Sequence, residues 1–147
     1  MPELPETETI ARDLDRLIVN QAIVSVRTLR SDVLRLCTPQ SLGRRLKQRR
    51  IVRVWRRAKT VVIDLSDDQR LLVQPRFTGV LRAFAETPST EPAYACVWLQ
   101  LTQGDLVYTD VRRLGTFALA NADQFRRFDR SMGVEPLDPA FTAAELS

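Results

Sequence analysis

The chain has 147 residues, 44% of them hydrophobic and 27% charged, with a formal charge of +4. That is enough apolar material for one buried core, while two isolated cysteines, Cys37 and Cys96, and no histidine leave neither a disulfide framework nor a zinc-finger spacing. No apolar run approaches the roughly 18 residues of a membrane helix and no signal peptide is visible, so a cytoplasmic, nucleoid-associated protein without a membrane partner is expected.

The start reads Met1-Pro2-Glu3-Leu4-Pro5-Glu6. Removal of Met1 would leave Pro2 with a free secondary amine beside two carboxylates. An α-amino group has a reference pKa of about 8, so a usable fraction is unprotonated at neutral pH. Such an amine can attack an electrophilic sugar carbon and form an iminium. The same residues also read simply as an acidic helix start, with Pro in the first turn and Glu complementing the helix dipole. Ile10, Leu14 and Leu17 follow at helical spacing and predict one buried stripe. Pro2 and Glu3 lie before that helix, where the structural reading gives them no task.

Ala22 to Arg30 alternates as a strand, and Thr38-Pro39 opens a short basic helix through about Lys47. No acidic residue occurs between Asp32 and Asp64, and this gap holds Arg44, Arg45, Lys47, Arg49, Arg50, Arg53, Arg56, Arg57 and Lys59. Such a run is the footprint of a polyanion binder; an anionic membrane surface or a solvated strand face would look similar. Ile51 to Trp55 reads as a strand of period two, with one core face and one charged face.

Val61 to Leu65, Arg70 to Val73 and Val80 to Phe84 are further strands, divided by Ser66-Asp67-Asp68 and by Gln74 to Gly79. Glu86 to Pro92 is a surface loop. Ala95 to Thr102 and Leu106 to Thr109 flank Gln103-Gly104-Asp105 as a hairpin, and Phe117 to Ala120 adds one more strand. Asn121 with Gln124 is a capping box opening a helix through Arg130. Many short strands with flanking helices predict an α+β, mainly β fold: a β-sandwich flanked by an N-terminal helix and short helices. Near the end, Asp138-Pro139 and Thr142-Ala-Ala-Glu145 read as a turn and a second capping box, either a helix beginning or a frayed tail.

Four segments carry a family resemblance: Pro2-Glu3-Leu4-Pro5-Glu6 with Glu8-Thr9-Ile10; Arg56-Arg57-Ala58-Lys59; Tyr108-Thr109-Asp110-Val111-Arg112-Arg113-Leu114-Gly115; and Met132-Gly133-Val134-Glu135-Pro136-Leu137. Together, and in this order, they resemble the formamidopyrimidine-DNA glycosylase and endonuclease VIII family. The resemblance implies the N-terminal catalytic domain, residues 1–137, of a bifunctional base-excision enzyme that removes oxidised purines and nicks the abasic product in damaged duplex DNA. Residues 138–147 would be a linker and the start of a helix leading to a C-terminal half. The family's helix-two-turn-helix region and zinc finger would lie in that half, so no cofactor is expected within this chain.

By the same resemblance Pro2 is the nucleophile, Glu3 the acid or base assisting ring opening and proton abstraction, and Glu6 a supporting carboxylate. Lys59 binds the phosphate flanking the lesion; without the family it is a strand-end surface lysine. Flipping a base leaves a gap that enzymes fill with a wedge. The family's wedge positions read Phe77, Arg112 and Leu114 here, although residue chemistry alone places Phe77 and Leu114 in a core. Arg76, Arg53 and Arg56 complete the expected DNA contacts. Gln74, Pro75 and Phe77 stand where the family usually has His, Leu and Met, and the family's histidines before the hairpin are missing around Glu91 to Tyr94, which bears on substrate preference. A non-catalytic DNA-binding domain of the same fold is the alternative.

Overall fold

The computed structural model describes residues 4–133, with side chains from Glu6 onward. Pro2, Glu3 and the expected boundary at residues 137–138 lie outside them. Helix α1 (Leu4–Ile18) buries Thr7, Ala11, Leu14 and Ile18, spaced by four, three and four residues along one helical face. Leu17, expected on that stripe, is exposed: the buried face is rotated toward Ala11 and Ile18.

Strand β1 (Ile23–Thr28) follows. A one-turn 3-10 helix (Ser31–Val33) then leads into β2 (Leu34–Arg35), which pairs parallel with a strand at residues 116–120. This two-residue strand has no periodicity of its own. Helix α2 (Pro39–Leu46) opens on a reciprocal capping box between Thr38 and Ser41 and drives Leu42 and Leu46 into the core.

The remaining strands are β3 (Ile51–Arg57), β4 (Thr60–Leu65), β5 (Arg70–Gln74), β6 (Gly79–Phe84), β7 (Ala95–Leu101), β8 (Asp105–Asp110) and β9 (Thr116–Ala120). They form two sheets, in the orders β1-β7-β8-β6 and β2-β9-β5-β4-β3. Ile23, Ile51, Ile63, Leu71, Val97, Leu99, Leu106, Tyr108, Phe117 and Leu119 fill the space between them. Such a two-layer core is the expected solution for sheets with one apolar face each. Helix α1 packs on β3, β4 and β6, and so closes the side where β3 and β6 are edge strands.

Helix α3 (Ala122–Met132), capped by Asn121 and Gln124, covers the outer face of the five-stranded sheet through Phe125 and Phe128. Phe125 meets Trp55 edge-on at 6.0 Å. Cys37 is half-buried and Cys96 buried, both as free thiols, and burial pushes both upward in pKa. Among the described residues no helix is long and apolar enough to cross a membrane.

The basic strand departs from its expected period. A bulge between Ile51 and Arg53 breaks the alternation, leaving Val52 exposed while Ile51, Val54 and Arg57 are buried. Asp15 of α1 accepts the Val54 N–H at 2.8 Å beyond that bulge.

Candidate nucleic-acid interface

Register brings four separate chain segments to one end of the sandwich. Arg57 pairs with Thr60 across the turn holding Ala58 and Lys59, Val61 with Val73, and Gln74 with Thr116. In the other sheet Gly79 pairs with Asp110 and Ala95 with Thr109. The β3–β4 turn, the loop after β5, the start of β7 and the loop after β8 therefore share this end. Helix α1 starts here too: Glu8 takes Arg56 at 2.8 Å, whereas Asp15, two turns later, sits farther back along β3 at Val54.

The basic residues divide by role once folded. The Arg56 side chain is only 5% exposed, held by Glu8 and donating to Ala58 O at 3.1 Å. Arg57 is buried against Asp129 at 2.7 Å and also donates to the Gly133 carbonyl, which ties the end of α3 to this end of the sandwich. Arg45 bonds Gln69 and Arg49 pairs with Asp67. The expected split of the strand into one core face and one charged face is thereby corrected at Arg56 and Arg57, whose guanidinium groups are buried and take partners within the fold. Arg53 is exposed, its guanidinium 5.0 Å over the Trp55 ring. Lys59 is half-buried in the turn and Glu6 is exposed in the first turn of α1. Arg44, Lys47 and Arg50 are exposed toward the opposite end, where β3 begins.

Phe77 is 62% exposed and Leu114 46%, so neither belongs to the core. Arg76 and Arg112 are exposed beside them. What joins these two loops is Asp110, only 1% exposed at the end of β8. One carboxylate oxygen accepts from Thr78 Oγ1 at 2.8 Å and Arg113 N at 2.9 Å. The other accepts from Tyr108 Oη at 2.7 Å and Gly115 N at 3.0 Å. Burial alone would push this carboxyl upward, but the hydrogen bonds from Tyr108, Thr78, Gly115 and Arg113 together hold it below its ordinary value. Tyr108 is pushed upward, first by burial and then by its bond to that carboxylate.

Two glycines make this approach possible. A Cβ on Gly115 would fall 2.0 Å from Tyr108 Oη and 2.7 Å from Gln74 O; one on Gly79 would fall 2.6 Å from the same hydroxyl. The loop residues are also held in an uncommon backbone: Phe77 has φ 51° and Arg113 φ 55°, the left-handed region in which bulky side chains cost of order 1 kcal/mol or more. Arg113 Nε reaches Asp32 at 2.7 Å, anchoring the second loop from outside. Sequence reasoning missed three residues here: Asp110 as the hub, Thr78 as its link to the first loop, and exposed Tyr94 at the start of β7. The motif around Asp110 was the available signal.

A recess of about 190 Å³ borders this end on the outer face of the five-stranded sheet, between Thr60, Gln74, Thr116 and Phe128. It is smaller than the roughly 300 Å³ of an ordinary ligand pocket. Among the described residues no group of three or more His, Cys, Asp or Glu could hold a metal ion.

Residues 1–117 match the formamidopyrimidine-DNA glycosylase N-terminal domain family. The formamidopyrimidine-DNA glycosylase of Bartonella tribocorum is 33% identical over 99% of this chain and 55% of its own length, and that of Moorella thermoacetica 36% identical over 100% and 54%. The Lactococcus lactis enzyme in complex with abasic-site DNA superimposes with a TM-score of 0.82 at 29% identity, covering 88% of this chain and 48% of that one. Its complex with Fapy-dG DNA gives 0.81. The chain belongs to the formamidopyrimidine-DNA glycosylase family, and it spans about half the length of the curated relatives it matches.

Proposed function

We propose that the protein is a base-excision DNA glycosylase with lyase activity, acting on oxidised purines in damaged duplex DNA through an N-terminal proline. The observation that carries this reading is the convergence of the α1 start, Lys59 and the Phe77 and Arg112 loops at one end of the sandwich. Pro2 stands two residues before Leu4, and two residues span at most about 7 Å. The reading requires the Pro2 amine to lie within that reach of the exposed loops.

In the proposed reaction the Pro2 nitrogen lone pair forms a bond to the sugar C1′ while the damaged base leaves with the electron pair of its glycosidic bond and takes up the proton that the amine gives up. Glu3 protonates the ring oxygen as the sugar opens, leaving an iminium between Pro2 and C1′. Loss of a C2′ proton to a carboxylate then expels the 3′ phosphate by β-elimination, and a second elimination expels the 5′ phosphate. Glu6 supports the amine electrostatically and Lys59 pairs with the flanking phosphate. Phe77, Arg112 and Leu114 occupy the gap left by the flipped nucleotide, and Arg76 and Arg53 contact the backbone. Arg56, committed to Glu8 within the fold, acts here by bracing α1 against β3.

The test is borohydride trapping on DNA bearing an abasic site, whose open-chain aldehyde accepts the amine directly. A processed Pro2 should give a protein–DNA crosslink that maps to the N-terminal peptide, and retention of Met1 should abolish it. Full trapping with Met1 in place, or a crosslink at Lys59, removes Pro2 from its role. Abasic-DNA binding without any crosslink would favour a non-catalytic DNA-binding domain.

A further inference from the structure

We propose that Thr78 is a positioning residue that couples the Phe77 loop to the Arg112 loop, so that the two enter DNA as one unit. The inference rests on the DNA-binding reading above for its functional consequence, but the coupling itself is a property of the fold. The Thr78 hydroxyl donates to Asp110 Oδ1 at 2.8 Å and accepts from the Arg112 backbone N–H at 3.0 Å. It is the next residue after Phe77, and Arg112 is itself a wedge position. One hydroxyl thus fixes the spacing of two side chains from loops that are far apart in sequence.

That spacing matters because a wedge fills a gap of defined width in a base stack, and reactivity falls when positioning groups shift by as little as about 1 Å. Both loops are exposed, and Phe77 itself is 62% exposed, so little burial holds its ring in place. Asp110 keeps Tyr108, Gly115 and Arg113 as donors whether or not Thr78 is present. Loss of the Thr78 hydroxyl therefore releases the Arg112 amide while leaving the core and the second loop's own anchor intact. Val has the same branched shape without either hydrogen-bonding capacity, and Ser keeps both.

Two measurements on Thr78→Val and Thr78→Ser separate coupling from mere stability. Hydrogen exchange at the Arg112 amide should accelerate roughly tenfold in Thr78→Val and stay near wild type in Thr78→Ser. In DNA carrying 2-aminopurine opposite an abasic analogue, saturating wild-type protein should change the fluorescence of the orphaned base. Thr78→Val should give less than about half of that change, with unaltered affinity for undamaged duplex, because the phosphate contacts remain. Thr78→Ser should restore the signal. Unchanged Arg112 exchange in Thr78→Val, a full fluorescence change in that variant, or equal loss in Thr78→Ser would each overturn the proposal. Absence of any signal from the wild-type protein would instead count against the DNA-binding reading, with the exchange measurement still deciding the coupling.

Discussion

The two ends of the sandwich solve the same problem with different residues. Eight non-glycine residues among those described have positive φ; Leu36, which follows the edge strand β2, lies along the side of the sandwich, and in the turns at the end where β3 begins they are Asn20, Gln48 and Asp68. Polar side chains of this kind, Asn and Asp above all, tolerate the left-handed region best. At the opposite end the corresponding residues are Ala58, Phe77, Tyr94 and Arg113, three of them bulky. The first end is built to turn the chain cheaply; the second holds large side chains in a costly backbone and leaves Phe77 and Tyr94 exposed.

Strand β8 shows the same contrast in its two terminal aspartates, each 1% exposed. Asp105 accepts from the Trp98 indole and from Thr87 at 2.6 Å, clipping one surface loop to the outer face of its sheet. Asp110 accepts four donors, two of them backbone amides, and joins two loops. The largest expected effect follows from that difference. In Asp105→Asn the new carbonyl still accepts from Trp98, and the new amide can donate to the Thr87 hydroxyl, which reverses its role. In Asp110→Asn either orientation sets the NH₂ against a backbone N–H, of Gly115 or of Arg113, that cannot reverse. Denaturant unfolding should show a loss of about 3 kcal/mol for Asp110→Asn against about 1 kcal/mol for Asp105→Asn. Equal losses would erase the distinction between the ends.

Much of the scaffold was legible because it is written locally. The Thr38 and Asn121 caps, the Gln103-Gly104 hairpin and most strand cores follow from turn chemistry and period. The β3 bulge between Ile51 and Arg53 was not, nor was the bond from the Val54 N–H to Asp15 of a different element, since neither leaves a local sequence pattern. Nor was the pairing of Leu34 and Arg35 with β9, which tertiary contact alone creates. At the site, residue type placed Phe77 and Leu114 in a core and was misleading, because both are exposed and a bulky apolar residue at a loop tip carries no period to reveal it. Asp110 was visible only within a motif, since its donors come from Thr78 and from the residues around Gly115, which pattern reading cannot bring together.

A second, smaller effect concerns pH and sharpens the same contrast. The Asp110 carboxyl lies below its ordinary value of 3.8, so its charged form stabilises the fold at and above that range. That contribution is lost as pH falls through the lower folded value. Tyr108 is shifted above its ordinary 10.0, so its neutral hydroxyl stabilises the fold below that pH, and the contribution is lost as pH rises toward the folded value. Unfolding profiles should steepen below about 4 and above about 10 in the wild type. Asp110→Asn should flatten the acid limb and Tyr108→Phe the alkaline one. Limbs unaltered in both variants would mean that other groups set the acid and alkaline limits.

The smallest expected change in stability is at Phe77, and there the sign is informative. Its ring is 62% exposed, so truncation removes little buried surface, while its φ of 51° lies where a Cβ is disfavoured. Phe77→Ala should therefore stay within about 0.5 kcal/mol of wild type. Phe77→Gly removes the left-handed penalty of roughly 1–2 kcal/mol but adds about 0.5–1 kcal/mol of unfolded-chain entropy, so it should be neutral or slightly stabilising. If the ring serves as a wedge, both variants should nonetheless act poorly on a lesion in duplex DNA and nearly normally on an abasic site in single-stranded DNA, where no base needs to be extruded. A residue kept in a strained conformation whose relief leaves the fold intact but impairs duplex activity has its reason in function rather than in packing. Equal impairment on both substrates would return Phe77 to a structural role and leave the strain at this end unexplained.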